Sequence, residues 1–367
     1  MKILKLLLLA TLSLSNSCTS QTGDSVKILF KKSTQTLGDT RTFGVAIADI
    51  DLDGDNDIFI PNYIGQSILW LNNGNGTFVQ SKQSFNLQEV HDVAITDFNG
   101  DKYPDIFLIS HASPNRVFFN KGDGSFTESE QNLRIKDEHP QFINLGDVDM
   151  DGDTDIFIYN IDGPNRLWLN NGNGIFAMVD EDYGGDDAKG FELADFNGDS
   201  FPDLFVQMRQ KPNRILMNDG SGKFKESGID VGTGGDKTGC VDFDKDGDID
   251  IVITDNTGVT IWQNQDNTGK FIPSKVIEEA VLKCKFLDAD MDNDLDIITI
   301  SRDNVNKLWI NKGFGKFELR SQIFGNNRTL CIRCDDFDGD GDLDIVFGQK
   351  EGTGGNAIYL NESVSDN

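Results

Sequence analysis

The sequence is short of cations, of histidine and cysteine, and of long apolar runs. Its 33 Lys and Arg stand against 61 Asp and Glu, a formal charge of −28, which excludes a nucleic-acid backbone as partner because phosphates need a cationic surface. The three histidines, His91, His111 and His139, come with no zinc-ligand spacing, no Ser-His-Asp order and no phosphate-cradling loop. Besides Cys18, the cysteines are Cys240, Cys284, Cys331 and Cys334. They fix no disulfide framework, and Cys331 and Cys334 fall on opposite faces of an extended strand. Core thiols are expected there, with one or two disulfides, which export permits, as the alternative. Beyond residue 18 nothing is apolar enough for a transmembrane helix, and no helical periodicity is sustained.

What the chain does have is acid, phenylalanine and repetition. Acidic chains are often disordered, but 37% apolar residues and 26 Phe supply a packed core. At 367 residues the length admits one large all-β domain or two to three smaller ones. Residues 1–17 read as an export signal, with Lys2 and Lys5 ahead of the apolar run Leu6 to Ala10. The stretch Leu14-Ser15-Asn16-Ser17-Cys18 resembles a bacterial lipobox, which implies lipidation of Cys18 and an outer-membrane lipoprotein of the cell envelope. Leu14 sits one residue early and Asn16 is untypical, so plain secretion is the alternative. Residues 18–25 form the tether and 362–367 a tail.

A nine-residue acidic loop recurs seven times at a period of 46 to 50 residues. Its carboxylates or amides fall at loop positions 1, 3, 5 and 9. In chain order these are Asp49, Asp51, Asp53 and Asp57; Asp97, Asn99, Asp101 and Asp105; Asp147, Asp149, Asp151 and Asp155; Asp195, Asn197, Asp199 and Asp203. Then follow Asp242, Asp244, Asp246 and Asp250; Asp288, Asp290, Asp292 and Asp296; and Asp336, Asp338, Asp340 and Asp344. Short apolar strands flank every loop. A third strand ending in Asn comes next, as in Arg166-Leu167-Trp168-Leu169-Asn170, then a Gly-rich turn and a Phe that opens a fourth.

Four antiparallel strands at this period are what a propeller blade requires, because radial stacking buries both faces of each sheet. The fold class is therefore all-β, a seven-bladed β-propeller over residues 26–361. The last unit stops after Ile358-Tyr359-Leu360-Asn361, one strand short. Val26 to Lys32 occupies the place of that missing strand at the other end of the chain. The N-terminal strand is expected to close the ring; an open solenoid would need caps, and none is visible.

On these elements the chain resembles the FG-GAP/VCBS repeat family, which includes the propeller of integrin α subunits and many bacterial surface proteins. The resemblance implies a propeller with metal loops between the first two strands of each blade. It fixes no ligand and no activity.

Carboxylates at alternate positions of a tight loop converge hard oxygen ligands, with the position-7 carbonyl adding one more. That set suits Ca²⁺ better than Zn²⁺ or Mg²⁺. Up to seven calcium ions are expected; the competing reading is solvated acidic turns. Gly54, Gly152, Gly247, Gly341 and Asn293 hold position 6, where a left-handed backbone is tolerated. Loops two and four instead carry Gly at position 4, Lys102 or Ser200 at position 6, and an Asn for one Asp. They are expected to bind more weakly.

The end of the propeller opposite the metal loops is the expected recognition face. Candidates there are His91, His111 and His139, with Arg116, Arg166 and Arg214 of the repeated Pro-Asn-Arg. The histidines read either as a ligand site or as turn residues, and the arginines either as a grip on acidic groups or as partners for nearby acid. Tyr63 and Tyr183 are looser, exposed sugar-contact candidates. Trp70, Trp168, Trp262 and Trp309 share a repeat position that points to packing. Glu192, Lys285 and Arg333 are expected to face the central channel. The leading functional expectation is recognition without catalysis, of an extracytoplasmic glycan or protein. The alternatives are a polysaccharide lyase using His91 and His111, and a scaffold subunit of an envelope complex.

Overall fold

The computed structural model describes residues 28–363 apart from 134–137, 302, 304, 314, 321–323 and 326–327. Residues 1–27, which hold the expected export signal, Cys18, Val26 and Lys27, lie outside the described residues, as do residues 364–367 of the expected tail. β1 (Phe30–Thr36) leads into blade 1, β2 (Ala46–Ala48), β3 (Asp57–Ile60), β4 (Ile68–Asn72) and β5 (Phe78–Gln80). Blade 2 is β6 (Val90–Thr96), β7 (Asp105–Ser110), β8 (Arg116–Asn120) and β9 (Phe126–Glu128). Blade 3 is β10 (Pro140–Gly146), β11 (Asp155–Asn160), β12 (Arg166–Asn170) and β13 (Phe176–Met178). Blade 4 is β14 (Ala188–Ala194), β15 (Asp203–Met208), β16 (Arg214–Asn218) and β17 (Phe224–Glu226). Blade 5 is β18 (Lys237–Val241), β19 (Asp250–Asp255), β20 (Gly258–Asn264) and β21 (Phe271–Ile277). Blade 6 is β22 (Val281–Leu287), β23 (Asp296–Ser301), β24 (Asn306–Asn311) and β25 (Phe317–Leu319). Blade 7 takes β26 (Thr329–Asp335), β27 (Asp344–Gln349) and β28 (Ala357–Asn361).

Every sheet has four antiparallel strands, and the seventh runs β1-β28-β27-β26. The N-terminal strand thus closes the ring, with Phe30 opposite Asn361 and Lys32 opposite Tyr359. Among the described residues the only helix is one 3-10 turn, Gly185–Asp187. Second strands such as β7 and β11 are buried along their whole length, because both faces of a radial sheet meet a neighbouring blade.

The apolar core falls into seven clusters, one at each blade junction; Phe59, Phe85 and Phe118, for example, fill the junction of blades 1 and 2. The tryptophans pack into these layers: Trp168 is buried, and Trp70, Trp262 and Trp309 lie against the clusters of their junctions. The four described cysteines are free thiols.

In blades 1 to 5 the Asn that ends the third strand joins neighbouring blades at the metal-loop end. Asn218 donates its side-chain N–H to the carbonyl of Pro202 in its own loop (3.1 Å) and to that of Val148 in the preceding blade's loop (2.8 Å). Asn72, Asn120, Asn170 and Asn264 bridge in the same way. Each is buried, so losing the amide leaves two carbonyls unpaired. Asn218→Ala is expected to cost about 2 kcal/mol in a denaturant titration, against less than about 0.5 kcal/mol for the exposed Asn173→Ala.

Candidate functional site

Two sites stand at opposite ends of the ring. At one end the aspartate loops connect first and second strands. The ninth-position carboxylate is buried and fixed by two backbone donors: Asp57 accepts the N–H of Ile50 (2.9 Å) on one oxygen and that of Asn72 (2.8 Å) on the other. The equivalents Asp105, Asp155, Asp203, Asp250, Asp296 and Asp344 do the same. This residue therefore holds the loop to the blade whether or not it also ligates an ion. Burial pushes its carboxyl up, to about 7 in Asp57 and Asp155 and about 6 in Asp203 and Asp250.

Positions 4 and 6 are both left-handed in all seven loops. Position 6 includes Lys102 (φ 74°) and Ser200 (φ 71°), and position 4 includes Leu52 (φ 63°), Met150 (φ 60°), Lys245 (φ 60°) and Met291 (φ 58°). The position-4 residues are the ones that sequence reasoning missed. A branched or long side chain in this region is disfavoured, so the closed loop shape is imposed by its other contacts.

The loops then divide into five and two. Three carboxylates lie within 4.8 Å of one another in the sets Asp49-Asp51-Asp53, Asp147-Asp149-Asp155, Asp242-Asp244-Asp246, Asp288-Asp290-Asp296 and Asp336-Asp338-Asp340. In the same five loops, buried carboxylate oxygens have no hydrogen-bond partner: Oδ1 of Asp49, Asp51, Asp149, Asp242, Asp290, Asp338 and Asp342. Unpaired buried anionic oxygens facing one another are unfavourable without a cation, so these residues fit a calcium ion. Burial, with the neighbouring carboxylates adding to it, raises the pKa of the third-position Asp in each of the five.

Loops two and four satisfy themselves. Asp97 accepts the N–H groups of Asn99, Gly100 and Asp101 on one oxygen and that of Lys102 on the other. Asp195 repeats the pattern with Asn197, Gly198, Asp199 and Ser200. Asn in place of the third Asp removes one anion, and the backbone donors occupy the first.

At the other end, His91, His111 and His139 come together. His91 stacks on Phe43 (4.4 Å between ring centroids) and on His111 (3.9 Å); His139 meets His111 edge-on at 5.4 Å, and Tyr63 closes on His91 at 5.3 Å. A bulge in β6, between Val90 and Asp92, turns His91 out of the strand's alternation. His111 Nε2 lies 3.0 Å from the Pro140 carbonyl and 2.8 Å from Nε2 of Gln141, and His139 faces Asp162 at 3.6 Å.

Burial first, then His111 and Arg41, pushes the His91 imidazole down to about 3. Burial and His139 lower that of His111. Since the folded pKa of His91 lies below its unfolded value, its neutral form favours the fold fully above about pH 6.5, and that contribution is lost as pH falls towards 3. Between pH 7 and pH 5 the parent is expected to lose about 2 kcal/mol that His91→Gln does not lose, read from urea midpoints at the two pH values.

The arginines are engaged by acid. Arg116 pairs with Glu128 (2.7 Å), Arg166 with Glu138 (3.0 Å), and Arg214 with Glu226. Of the two readings from sequence, local neutralisation is the one this geometry matches. Tyr183 is a correction: it is 2% exposed, packed on Phe157 and Phe224, because the chain before β14 folds it into the junction of blades 3 and 4. Tyr63 stays half-exposed. It borders a groove of about 470 Å³ with Ile64, Gly65, Gln66, Asn86, Leu87, Gln88 and Glu89.

The FG-GAP-like repeat matches residues 97–158, 147–206 and 288–347, and each matched segment begins on the first Asp of a loop. No curated protein matches the chain. Among solved structures it is similar to an Agrocybe aegerita lectin described for specific recognition of non-reducing terminal N-acetylglucosamine, with 21% identity over 78% of this chain and 81% of that chain and a TM-score of 0.60. It is also similar to BBS1N in complex with ARL6DN. The lead-soaked form gives 10% identity and a TM-score of 0.58, the mercury-soaked form 11% and 0.60, each over 91% of this chain and 96% of that one. At these identities the likeness concerns the fold. The chain is a seven-bladed β-propeller that contains three FG-GAP-like repeats.

Proposed function

We propose that the protein is a calcium-stabilised recognition module that binds a glycan on the face opposite its metal loops. The observation that carries this reading is the groove between blades 1 and 2. It combines one half-exposed aromatic ring, Tyr63, with the amides Gln66, Asn86 and Gln88 and the carboxylate Glu89. A sugar ring needs an apolar face to stack on and planar donor and acceptor groups for its hydroxyls. His91, edge-on beneath Tyr63, fixes the ring and is itself buried. The lectin among the structural neighbours is described as recognising a terminal sugar, in keeping with this reading.

Export and lipidation at Cys18 would hold the disk at the bacterial envelope. Metabolic labelling with a palmitate analogue, absent in Cys18→Ala, tests that part separately. Binding itself is tested on a glycan array with the full chain in calcium. Retention of a defined sugar that is lost in Tyr63→Ala and in Gln66→Ala supports the proposal. Binding unchanged by both variants, or no glycan retained while a protein partner copurifies, would overturn it.

A further inference from the structure

The inner strands build a channel whose lining can be read by counting back from each aspartate loop. Residues five before the loop form one layer and include Gly44, Asp92, Gly190, Lys237 and Lys283. Residues three before it form the next and include Ala46, Ala94, Glu192, Gly239, Lys285 and Arg333. Side chains two apart share a strand face. Where these two layers meet the cavity it measures about 260 Å³, and it is lined by four cationic side chains, Lys237, Lys283, Lys285 and Arg333, and two anionic ones, Asp92 and Glu192.

These six charges make no ion pair with one another within 4.0 Å. Asp92 accepts the backbone N–H of Ile143 (3.1 Å), and Glu192 accepts the Thr238 hydroxyl (3.3 Å). Lys283 donates to the Leu330 carbonyl and Arg333 to that of Ile332 (3.0 Å), while the Lys237 ammonium sits over the Phe142 ring at 3.2 Å. The cations all come from blades 5 to 7, so they form one arc of the wall. Across from that arc the wall carries Asp92, Phe142 and Asn144. Behind Gly190 stands the Gln207 amide, fully buried, with neither end hydrogen bonded; its Oε1 would lie 3.2 Å from a Cβ at Gly190.

We infer that this channel is a binding site for a small oxyanion carrying two negative charges, such as a dicarboxylate or a sulfate-bearing group. A cationic arc inside an otherwise strongly acidic protein concentrates anions only where the low-dielectric walls focus its field. The cationic side chains outnumber the carboxylates in the lining, which suits a dianion, and Arg333 supplies planar donors while the lysines supply point charges. Burial first, then the neighbouring cations, lowers the pKa of all three lysines, Lys237 to about 7, while Glu192 and Asp92 oppose the shift without cancelling it. The site is separate from the groove at Tyr63, and its test does not depend on that proposal.

The test is calorimetric titration and thermal unfolding of the full chain in calcium, with succinate or sulfate at ionic strength matched by chloride. Succinamide serves as the neutral control. Saturable binding of succinate or sulfate is expected, with no response to succinamide. Lys285→Met and Arg333→Met are each expected to weaken it at least tenfold, and Glu192→Gln to tighten it several-fold. Lys285→Met should also melt no lower than the parent without anion, since Lys285 is exposed in the channel, makes no ion pair among the described residues, and stands next to the like charge of Arg333. Absence of saturable binding by the parent, or binding unchanged in both cation variants, would overturn the inference.

Discussion

Removal of calcium is expected to lower the melting temperature by on the order of 15–20 °C. A site held at about 100 times its Kd stabilises the folded state by about 2.7 kcal/mol. Five loops bring three carboxylates together, which gives roughly 13 kcal/mol if each is filled. Unfolding entropy near 2.1 cal/mol/K per residue amounts to about 0.7 kcal/mol/K for a chain of this size, and the quotient is the expected shift. Metal analysis of desalted protein should find about five calcium ions per chain, because Asp97 and Asp195 are already saturated by backbone donors. Asp149→Asn should remove one ion and about 3 kcal/mol, while Asp101→Asn should leave the tight stoichiometry unchanged. A chelator that leaves the melting temperature in place, or seven equivalent ions, would contradict this division.

Deletion of residues 1–36 is expected to abolish the cooperative unfolding transition. β1 supplies the outer strand of blade 7, and Phe30, 3% exposed, packs edge-on to Phe324 at 5.3 Å. Gln35 then fastens blade 7 to blade 1: its amide donates to the Phe78 carbonyl (2.5 Å) and accepts the Phe78 N–H (2.9 Å). Without the strand, β28 has an unpaired edge and the last junction loses its cover. Full deletion also exposes that edge, so two point variants separate the contributions. Phe30→Ala should cost about 3–5 kcal/mol, and Lys31→Ala, whose ion pair with Glu362 is largely exposed, should leave the unfolding midpoint at the parent's value. A truncated chain that still melts in one sharp calorimetric transition would show that the ring closes without its N-terminal strand.

The histidine site and the channel show where reading along the chain stops. That His91 and His111 share a repeat was visible, and so was their chance to meet. The bulge at His91 was not, because it breaks the alternation from which side-chain direction is inferred. Glu192, Lys285 and Arg333 were placed towards the channel by that same alternation. Asp92, Lys237 and Lys283 were overlooked, although one further step of two residues along the same strands finds them. The pairing of Phe30 with Gln35, repeated as Phe78 with Gln83 and Phe126 with Gln131, is another legible signal: each Gln amide serves the next blade's outer strand.

By itself the sequence determined the number of blades, the place of the aspartate loops and the end that closes the ring, since these follow from a repeat period and a missing strand. It also marked loops two and four as different, because Asn and Gly change local donors and backbone freedom within a few residues. Only the tertiary structure decided which carboxylate oxygens are left unpaired, that Tyr183 is buried while Tyr63 lines a groove, and that four cations share one channel wall. Those outcomes depend on which blade stands next to which, and on how far a side chain is removed from water. Neither is a property of a single repeat.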